Sequence, residues 1–150
     1  MNFRYVENDF RANVLGTPET MQNYGSYAEK RFLRVCVDSF GLAELPPEAL
    51  KDKNKPKHGA IVRAKEEDDY GIGVDFYVFL PELNKWTPID ITVSNDPKVL
   101  DAKLEKERET GIRVVKLNDR DLRNSTDNDI KVAEQACRNI GRDLMTAVQR

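Results

Sequence analysis

Apolar residues recur at helical spacing in three segments of the chain, over 17–41, 97–111 and 126–148. Thr17 and Pro18 are typical of a helix start, and Gly41 is typical of a helix end. The second segment likewise begins at a proline and ends at a glycine, and the third follows a Ser-Thr pair that can cap a helix. We therefore predict three helices.

Four other segments alternate apolar and polar residues with the two-residue period of a strand, over 59–65, 71–80, 86–94 and 112–117. The last of these strands follows a helix, so we expect it to run parallel to the strand before that helix. The element order is helix, three strands, helix, strand and helix. This order predicts an α/β fold in which helices cover both faces of a mixed four-stranded sheet.

Composition and length limit the class of protein. Residues 1–16 have no regular pattern and are interpreted as an N-terminal arm, which leaves 17–150 as a single domain. The net charge of −2 argues against a protein that binds nucleic acid through bulk positive charge. No apolar run approaches the roughly 18 residues of a membrane span, so we expect no membrane partner. The two cysteines lie in separate segments, which favours a reducing, cytoplasmic compartment.

The single histidine, His58, removes several kinds of site from consideration. It lies in a predicted loop, and together with two cysteines it cannot form a tetrahedral zinc site. Any Ser-His or Cys-His mechanism would have to use this one residue. The remaining candidate groups are carboxylates, lysines and a hard metal ion.

Two aspartates face each other in the hairpin predicted from the second and third strands. A four-residue turn after Leu80 pairs that residue with Lys85. In this register Asp75 lies directly opposite Asp90. Like charges about 4.5–5.5 Å apart are destabilising, so a divalent cation such as Mg²⁺ between the carboxylates would explain their position. The alternatives are a different register, or one aspartate that caps a loop while the other meets a lysine.

A third carboxylate lies on the apolar stripe of the first predicted helix. Glu29 shares this stripe with Leu33 and Cys36, so it points toward the covered side of the helix. No basic residue lies three or four positions before or after Glu29, so a helical ion pair does not account for it. A solvent-exposed glutamate is the simple alternative.

Three short motifs resemble those of the PD-(D/E)XK nuclease superfamily, in particular the archaeal Holliday-junction resolvases and restriction-endonuclease-like proteins. The motifs are Gly-Ser-Tyr-Ala-Glu-Lys-Arg-Phe-Leu at 25–33, Gly-Val-Asp-Phe at 73–76 and Ile-Asp-Ile-Thr at 89–92. In the archaeal resolvases a Gly-Ser pair precedes a helix with an active-site Glu. In the superfamily as a whole, an Asp begins the second strand and an acid-x-Lys tripeptide lies on the third. The resemblance covers about residues 24–117 and implies a restriction-endonuclease-like core.

The resemblance also implies metal-dependent hydrolysis of DNA phosphodiesters. Asp75 and Asp90 would bind Mg²⁺ or Mn²⁺, and Glu29 would complete or support the metal site. Thr92 stands where the superfamily usually has a catalytic Lys. A threonine can hydrogen-bond a water but cannot supply a cation, so a lysine from elsewhere would have to take this role.

Lys116 on the last predicted strand is one candidate for the missing lysine, because it shares a face with Ile112 and Val114. Lys98 and Lys103 on the second predicted helix are further candidates. If no lysine fills the position, the domain is a catalytically silent module that binds nucleic acid or a protein. If the two aspartates do not meet, the chain is a plain α/β interaction domain.

Contacts with DNA are expected at a basic loop. Lys53, Lys55 and Lys57 alternate along this loop and are expected to contact backbone phosphates. Ordinary solubilising charge is the alternative interpretation. Nucleases of the family that this chain resembles often act as dimers because cutting both strands requires two sites, so the resemblance also implies a homodimer. The exposed face of the last predicted helix is a candidate dimer surface.

Overall fold

A computed structural model describes residues 18–65 and 73–150 of the chain, with side chains from residue 27 onward. The expected arm, 1–16, lies outside the described residues, as does the start of the strand predicted at 71–80. The helices are α1 Pro18–Asp38, α2 Pro97–Thr110, α3 Asp119–Asn124 and α4 Ile130–Val148, with a 3-10 helix at Pro47–Lys51. The strands are β1 Ala43–Leu45, β2 Ala60–Arg63, β3 Phe76–Leu80, β4 Lys85–Thr92 and β5 Arg113–Lys116.

The five described strands form one mixed sheet in the order β1, β2, β3, β4, β5. Strands β2, β3 and β4 form an antiparallel meander, and β5 lies parallel to β4 after the crossover through α2. The predicted α/β class and the parallel last strand are therefore confirmed. The sheet has five strands rather than the expected four, because β1 pairs in parallel with β2 at one edge. The sequence does not reveal β1, which has three residues and precedes two prolines that are typical of a loop.

Three of the four helices correspond to predicted ones. Helix α1 runs without interruption through Gly25. Helix α2 is followed by Gly111, whose φ of 78° lies in the left-handed region that favours glycine at a helix end. Helix α4 begins after the capping residue Asp129 rather than after the Ser-Thr pair. The sequence does not reveal α3, because its six residues are too few to show an apolar period.

Helices α1, α3 and α4 pack against one face of the sheet and enclose the main core. Phe76 of β3 and Ile89 of β4 lie opposite each other, and both are fully buried on this face. The ring of Phe32 on α1 lies 5.6 Å from the ring of Phe76, centroid to centroid. Ile140 of α4 belongs to the same cluster. Because side chains alternate along a strand, Asp90 points to the other face, where α2 lies.

A buried carboxylate attaches α2 to β5. Glu107 of α2 accepts the backbone N–H of Val114 at 2.8 Å. The Arg150 guanidinium donates to the two oxygens of this carboxylate at 2.7 and 2.9 Å and to the carbonyl of Val114 at 2.8 Å, and Arg113 adds an ion pair at 3.8 Å. The hydrogen bonds from Arg150 are the main reason that the pKa of Glu107 lies below its usual range. We call these four residues the Glu107 clamp.

Candidate active site

The β3–β4 hairpin has the register that the sequence predicts. Leu80 pairs with Lys85 at the turn, and Phe76 is the first paired residue of β3. Asp75 directly precedes Phe76, and Asp90 directly follows the β4 partner of Phe76. Both aspartates are 8% exposed. The hairpin therefore places two buried carboxylates on adjacent strands at one end of the sheet.

The carboxylate of Asp75 takes the place of a backbone carbonyl where the β3–β4 ladder ends. Its Oδ2 accepts the backbone N–H of Ile91 at 2.8 Å, and the Asp75 N–H donates to the carbonyl of Ile89 at 2.8 Å. The carbonyl of Asp75 accepts the N–H of Ala64, just beyond β2, at 3.0 Å. Asp75 thus links three neighbouring strands, and the Ile91 N–H satisfies one oxygen of its buried carboxylate.

Asp90 meets a lysine from α2. Lys103 Nζ donates to Asp90 Oδ2 at 2.7 Å, and the two side chains are 29% and 11% exposed. A bond of this length between an ammonium group and a carboxylate is charge-assisted, and partial burial limits its screening by water. The structure therefore has the predicted register, and Asp90 meets a lysine as one of the alternatives expected. Asp75 accepts the N–H of a strand residue, Ile91, rather than capping a loop.

Of the three lysines considered for the missing catalytic position, Lys103 is the one whose amine contacts an aspartate in the described structure. Lys116 pairs with Thr92 across β4 and β5, but its Nζ donates to the carbonyl of Leu117 at 3.2 Å. Lys98 is exposed in the first turn of α2. The sequence does not single out Lys103, because the rotation of α2 over the sheet depends on its attachment to β5.

Thr92 lies two residues beyond Asp90 on the same face of β4 and is 8% exposed. Its Oγ1 accepts the backbone N–H of Ser94 at 3.2 Å, and its carbonyl accepts the N–H of Leu117 at 2.8 Å. The hydroxyl therefore stabilises the turn that leads from β4 into α2. In this position Thr92 helps to connect the strand of Asp90 to the helix that carries Lys103.

Glu29 lies on the α1 side of the sheet. An ion pair of 3.9 Å joins its Oε1 to Arg63, which pairs with Phe76 and so shares the face against which α1 packs. Within residues 18–65 and 73–150, no group of three or more His, Cys, Asp or Glu side chains is placed to hold a metal ion. The structure thus brings two of the three predicted carboxylates onto adjacent strands, and the contribution of Glu29 to a metal site stays a prediction.

A second lysine of α2 lies over the residues that precede β3. Gly73, two residues before Asp75, has a φ of 77°, in the left-handed region that favours glycine. A Cβ atom at Gly73 would collide with the Nζ of Lys106. Lys106 follows Lys103 by three residues, so the two ammonium groups leave the same side of the helix. The sequence offers this spacing as the only signal for Lys106, and many surface helices share it.

The basic loop lies at the other end of the hairpin. Lys53, Lys55 and Lys57 are exposed, and Lys55 Nζ donates to the carbonyl of Asn84 in the β3–β4 turn at 2.8 Å. The five residues between that turn and Asp90 correspond to about 17 Å along an extended strand. The structure therefore separates these lysines from the aspartates, and their contact with DNA stays a prediction.

A cleft of about 440 Å³ adjoins the aspartate end of the sheet. Its lining comes from the residues at and just beyond the carboxyl ends of β1 and β2: Glu44, Leu45, Pro46, Pro47, Arg63, Ala64 and Lys65. The backbone bond from Ala64 to Asp75 places this cleft next to the candidate site. The lining includes two basic side chains that can bind an anion, Arg63 and Lys65, and one acidic side chain, Glu44.

Comparison of the chain with known protein families, with characterised proteins and with solved structures finds no match. In the part of the chain that the structure describes, no helix has the length and apolar character needed to cross a membrane. The function is therefore inferred from the geometry of the Asp75–Asp90 end of the sheet and from the motifs that the chain carries there.

Proposed function

We propose that the domain hydrolyses DNA phosphodiesters in a metal-dependent reaction, with Asp75, Asp90 and Lys103 as its catalytic groups. The observation that carries this proposal is the 2.7 Å contact of Lys103 Nζ with Asp90 Oδ2, beside a second buried aspartate on the adjacent strand. Carboxylates that bind a metal ion and a cation that stabilises developing negative charge are the groups that this reaction needs. Helix α2 thus supplies the cation that Thr92 cannot.

A restriction-endonuclease-like core is part of the same proposal. The order of elements supports it: a helix, an antiparallel three-stranded meander, a crossover helix and a strand parallel to the third. Strand β1 and helix α3 are additions to this core. In this proposal Asp75, just before the second meander strand, and Asp90, on the third, correspond to the acids that the resemblance implies.

Two aspartates fit a Mg²⁺ or Mn²⁺ ion by donor type and number. Mg²⁺ in proteins is usually bound through one or two carboxylates together with waters and substrate phosphates, so a third carboxylate is not required. Asp75 and Asp90 would hold the ion, and Glu29 is proposed as a supporting group. When bound, the ion would polarise the phosphoryl oxygen and activate the attacking water.

The protein's own groups have separate tasks in this scheme. The Ile91 N–H fixes the orientation of the Asp75 carboxylate through its Oδ2. Lys103 carries three donor hydrogens, so the bond to Asp90 leaves it able to donate to a phosphoryl oxygen as well. There the ammonium group would stabilise the negative charge that develops during hydrolysis. The hydroxyl of Thr92 holds the turn between the two elements that carry these groups.

The test is a cleavage assay on single-stranded, duplex and branched DNA with Mg²⁺, with Mn²⁺ and with EDTA. We expect cleavage that requires the metal and is lost in Asp90→Ala. Glu82→Ala is the matched control, because it removes an exposed acid from the turn at the far end of the same hairpin. Cleavage that persists in Asp90→Ala would contradict the proposal.

A catalytically silent module is the second candidate, and one observation favours it. Asp75 Oδ2, Asp90 Oδ2 and the Thr92 hydroxyl already accept hydrogen bonds from within the protein. DNA binding without cleavage under any metal condition would support this candidate. Thermal stabilisation by Mg²⁺ or Mn²⁺ that disappears in Asp75→Asn would support a metal site whether or not cleavage occurs.

DNA as the partner, a homodimer as the assembly and the cytoplasm as the compartment belong to the same proposal. Two copies would place two sites on the two strands of a duplex. The exposed face of α4 is the proposed dimer surface, and Ile130 at its start is 71% exposed. Sedimentation with and without duplex DNA tests the assembly, and a monomer under both conditions would contradict it.

A further inference from the structure

We propose that Lys106, seated over Gly73, forms a subsite for a backbone phosphate of the nucleic acid beside the Asp75–Asp90 pair. This inference rests on the proposed function and names a substrate contact that neither the motifs nor the basic loop provides. The ligand chemistry is a phosphodiester monoanion. Three observations lead to this subsite: the contacts of the two α2 lysines, the conformation of Gly73 and the position of both beside the buried aspartates.

The two lysines of α2 differ in their contacts. Lys103 donates to Asp90, and that ion pair offsets its charge. Lys106 is partly exposed, and in the described residues its ammonium group has no hydrogen bond or ion pair. It lies three residues after Lys103, so the two positive charges are about one helical turn apart and repel each other. An anion bound between them would offset this repulsion better than water does. Among the described residues, the ammonium group of Lys106 is therefore a cation beside the aspartates that no carboxylate neutralises.

Gly73 makes room for this ammonium group. Its φ of 77° already favours glycine, and a Cβ atom at this position would overlap the Nζ of Lys106. Glycine allows the cation to approach the backbone two residues before Asp75. A phosphate that contacts Lys106 would therefore lie next to the buried carboxylates rather than at the distant basic loop.

The test measures binding without cleavage, by fluorescence anisotropy of a labelled duplex with Ca²⁺ in place of Mg²⁺ and over a range of salt concentrations. For Lys106→Ala we expect a dissociation constant about ten-fold higher, from the loss of one charged hydrogen bond. The slope of log K against log salt should fall in magnitude by about 0.9, the value for one phosphate contact on duplex DNA. Lys106→Arg keeps the cation and should retain most of the affinity.

Lys30→Ala is the matched control, because it removes the same charge from an exposed position on α1, across the sheet from α2. It should leave both the affinity and the salt slope unchanged. The thermal midpoint of Lys106→Ala should equal that of the wild type, since the side chain is partly exposed and bonds to none of the described residues. Inorganic phosphate at millimolar concentration is a further probe, and it should compete weakly with the duplex in the wild type.

The outcomes separate this subsite from the proposed function. If Lys106→Ala binds duplex with wild-type affinity and salt slope while Asp90→Ala abolishes cleavage, the subsite is refuted and the function stands. If Lys106→Ala weakens binding and Asp90→Ala still cleaves, the subsite stands and the function fails. If the wild type binds inorganic phosphate but no nucleic acid, both are refuted.

Discussion

Asp90 and Glu107 are buried carboxylates on the α2 side of the sheet, and each is 8% exposed. Glu107 accepts a backbone N–H and two hydrogen bonds from one guanidinium, and its pKa is lowered as a result. Asp90 accepts one hydrogen bond from the ammonium group of Lys103. Glu107 is thus a carboxylate that holds two elements together, whereas the charge of Asp90 is offset by a single lysine side chain.

The chemistry of the two cations explains this contrast. A guanidinium is planar and donates two parallel hydrogen bonds to a carboxylate, so it fixes geometry as well as charge. An ammonium group on a four-carbon chain is a point charge that can turn toward another oxygen. The Glu107 clamp is therefore suited to positioning α2, and the Asp90–Lys103 pair is suited to contact with a substrate.

The largest expected effect separates activity from stability. Asp90→Asn should lower the rate of DNA cleavage by about 100-fold or more, because it removes a carboxylate from the proposed metal site and weakens the hold on Lys103. Its free energy of unfolding should fall by about 1 kcal/mol, because the asparagine amide oxygen can still accept a hydrogen bond from Lys103. Initial rates and urea unfolding of the same preparation measure both quantities. A variant that cleaves normally but unfolds easily would reverse the two roles.

Glu107→Ala should instead lower stability more than activity. We expect the free energy of unfolding to fall by about 2–3 kcal/mol, because the Val114 N–H and the Arg150 guanidinium both lose their buried acceptor. Arg150→Ala should cost less, since the carboxylate would still accept from Val114. Urea midpoints at an unchanged m-value measure this difference. Equal losses in the two variants would show that the backbone bond contributes nothing.

The lowered pKa of Glu107 gives the clamp a pH dependence of defined sign. In the unfolded chain the pKa of a glutamate is about 4.3, which is higher than in the folded protein. On acidification the unfolded state therefore takes up a proton at this residue before the folded state does. The stabilisation is therefore complete above about pH 5 and is lost as the pH falls through the lower folded value. The stability difference between wild type and Glu107→Gln should shrink between pH 7 and pH 3, as followed by thermal unfolding. A difference that stays constant across this range would contradict the assignment.

Gly73→Ala should give the smallest effect. A left-handed φ costs a residue with a side chain about 1 kcal/mol, and the Cβ atom would also displace Lys106. We expect a loss of about 1 kcal/mol in urea unfolding together with weaker DNA binding. Gly111→Ala is a control with almost the same φ, 78°, but with open space around the new Cβ atom. If both variants bind DNA equally well, the position of Lys106 does not matter for binding.

The strand pattern is sufficient to predict the hairpin register at the centre of the candidate site. Matching the apolar faces of β3 and β4 determines the register, and the register alone brings Asp75 and Asp90 onto adjacent strands. This works because a slip of one residue would turn every buried side chain of the hairpin toward the wrong face. Local spacing is enough here, because the two strands are joined by a short turn.

The surroundings of the site could not be predicted in the same way. Lys103 and Lys106 reach the aspartate end because α2 is rotated over the sheet by contacts with residues from distant parts of the chain, such as Arg150. Glu29 lies on the predicted helix, but that helix packs against one face of the sheet and Asp90 points to the other. The helix period alone does not show which face the helix covers. β1 and α3 are too short to show a period.

The rate of Mg²⁺-dependent cleavage of duplex DNA by Lys103→Ala and by Lys116→Ala tests most directly whether α2 supplies the catalytic cation. Lys116 pairs with Thr92, whereas the amine of Lys103 contacts Asp90. We predict that Lys103→Ala lowers the rate by about 100-fold and that Lys116→Ala leaves it within about two-fold of the wild type. Wild-type cleavage by Lys103→Ala, with or without a loss in Lys116→Ala, would contradict the assignment of the catalytic cation to α2.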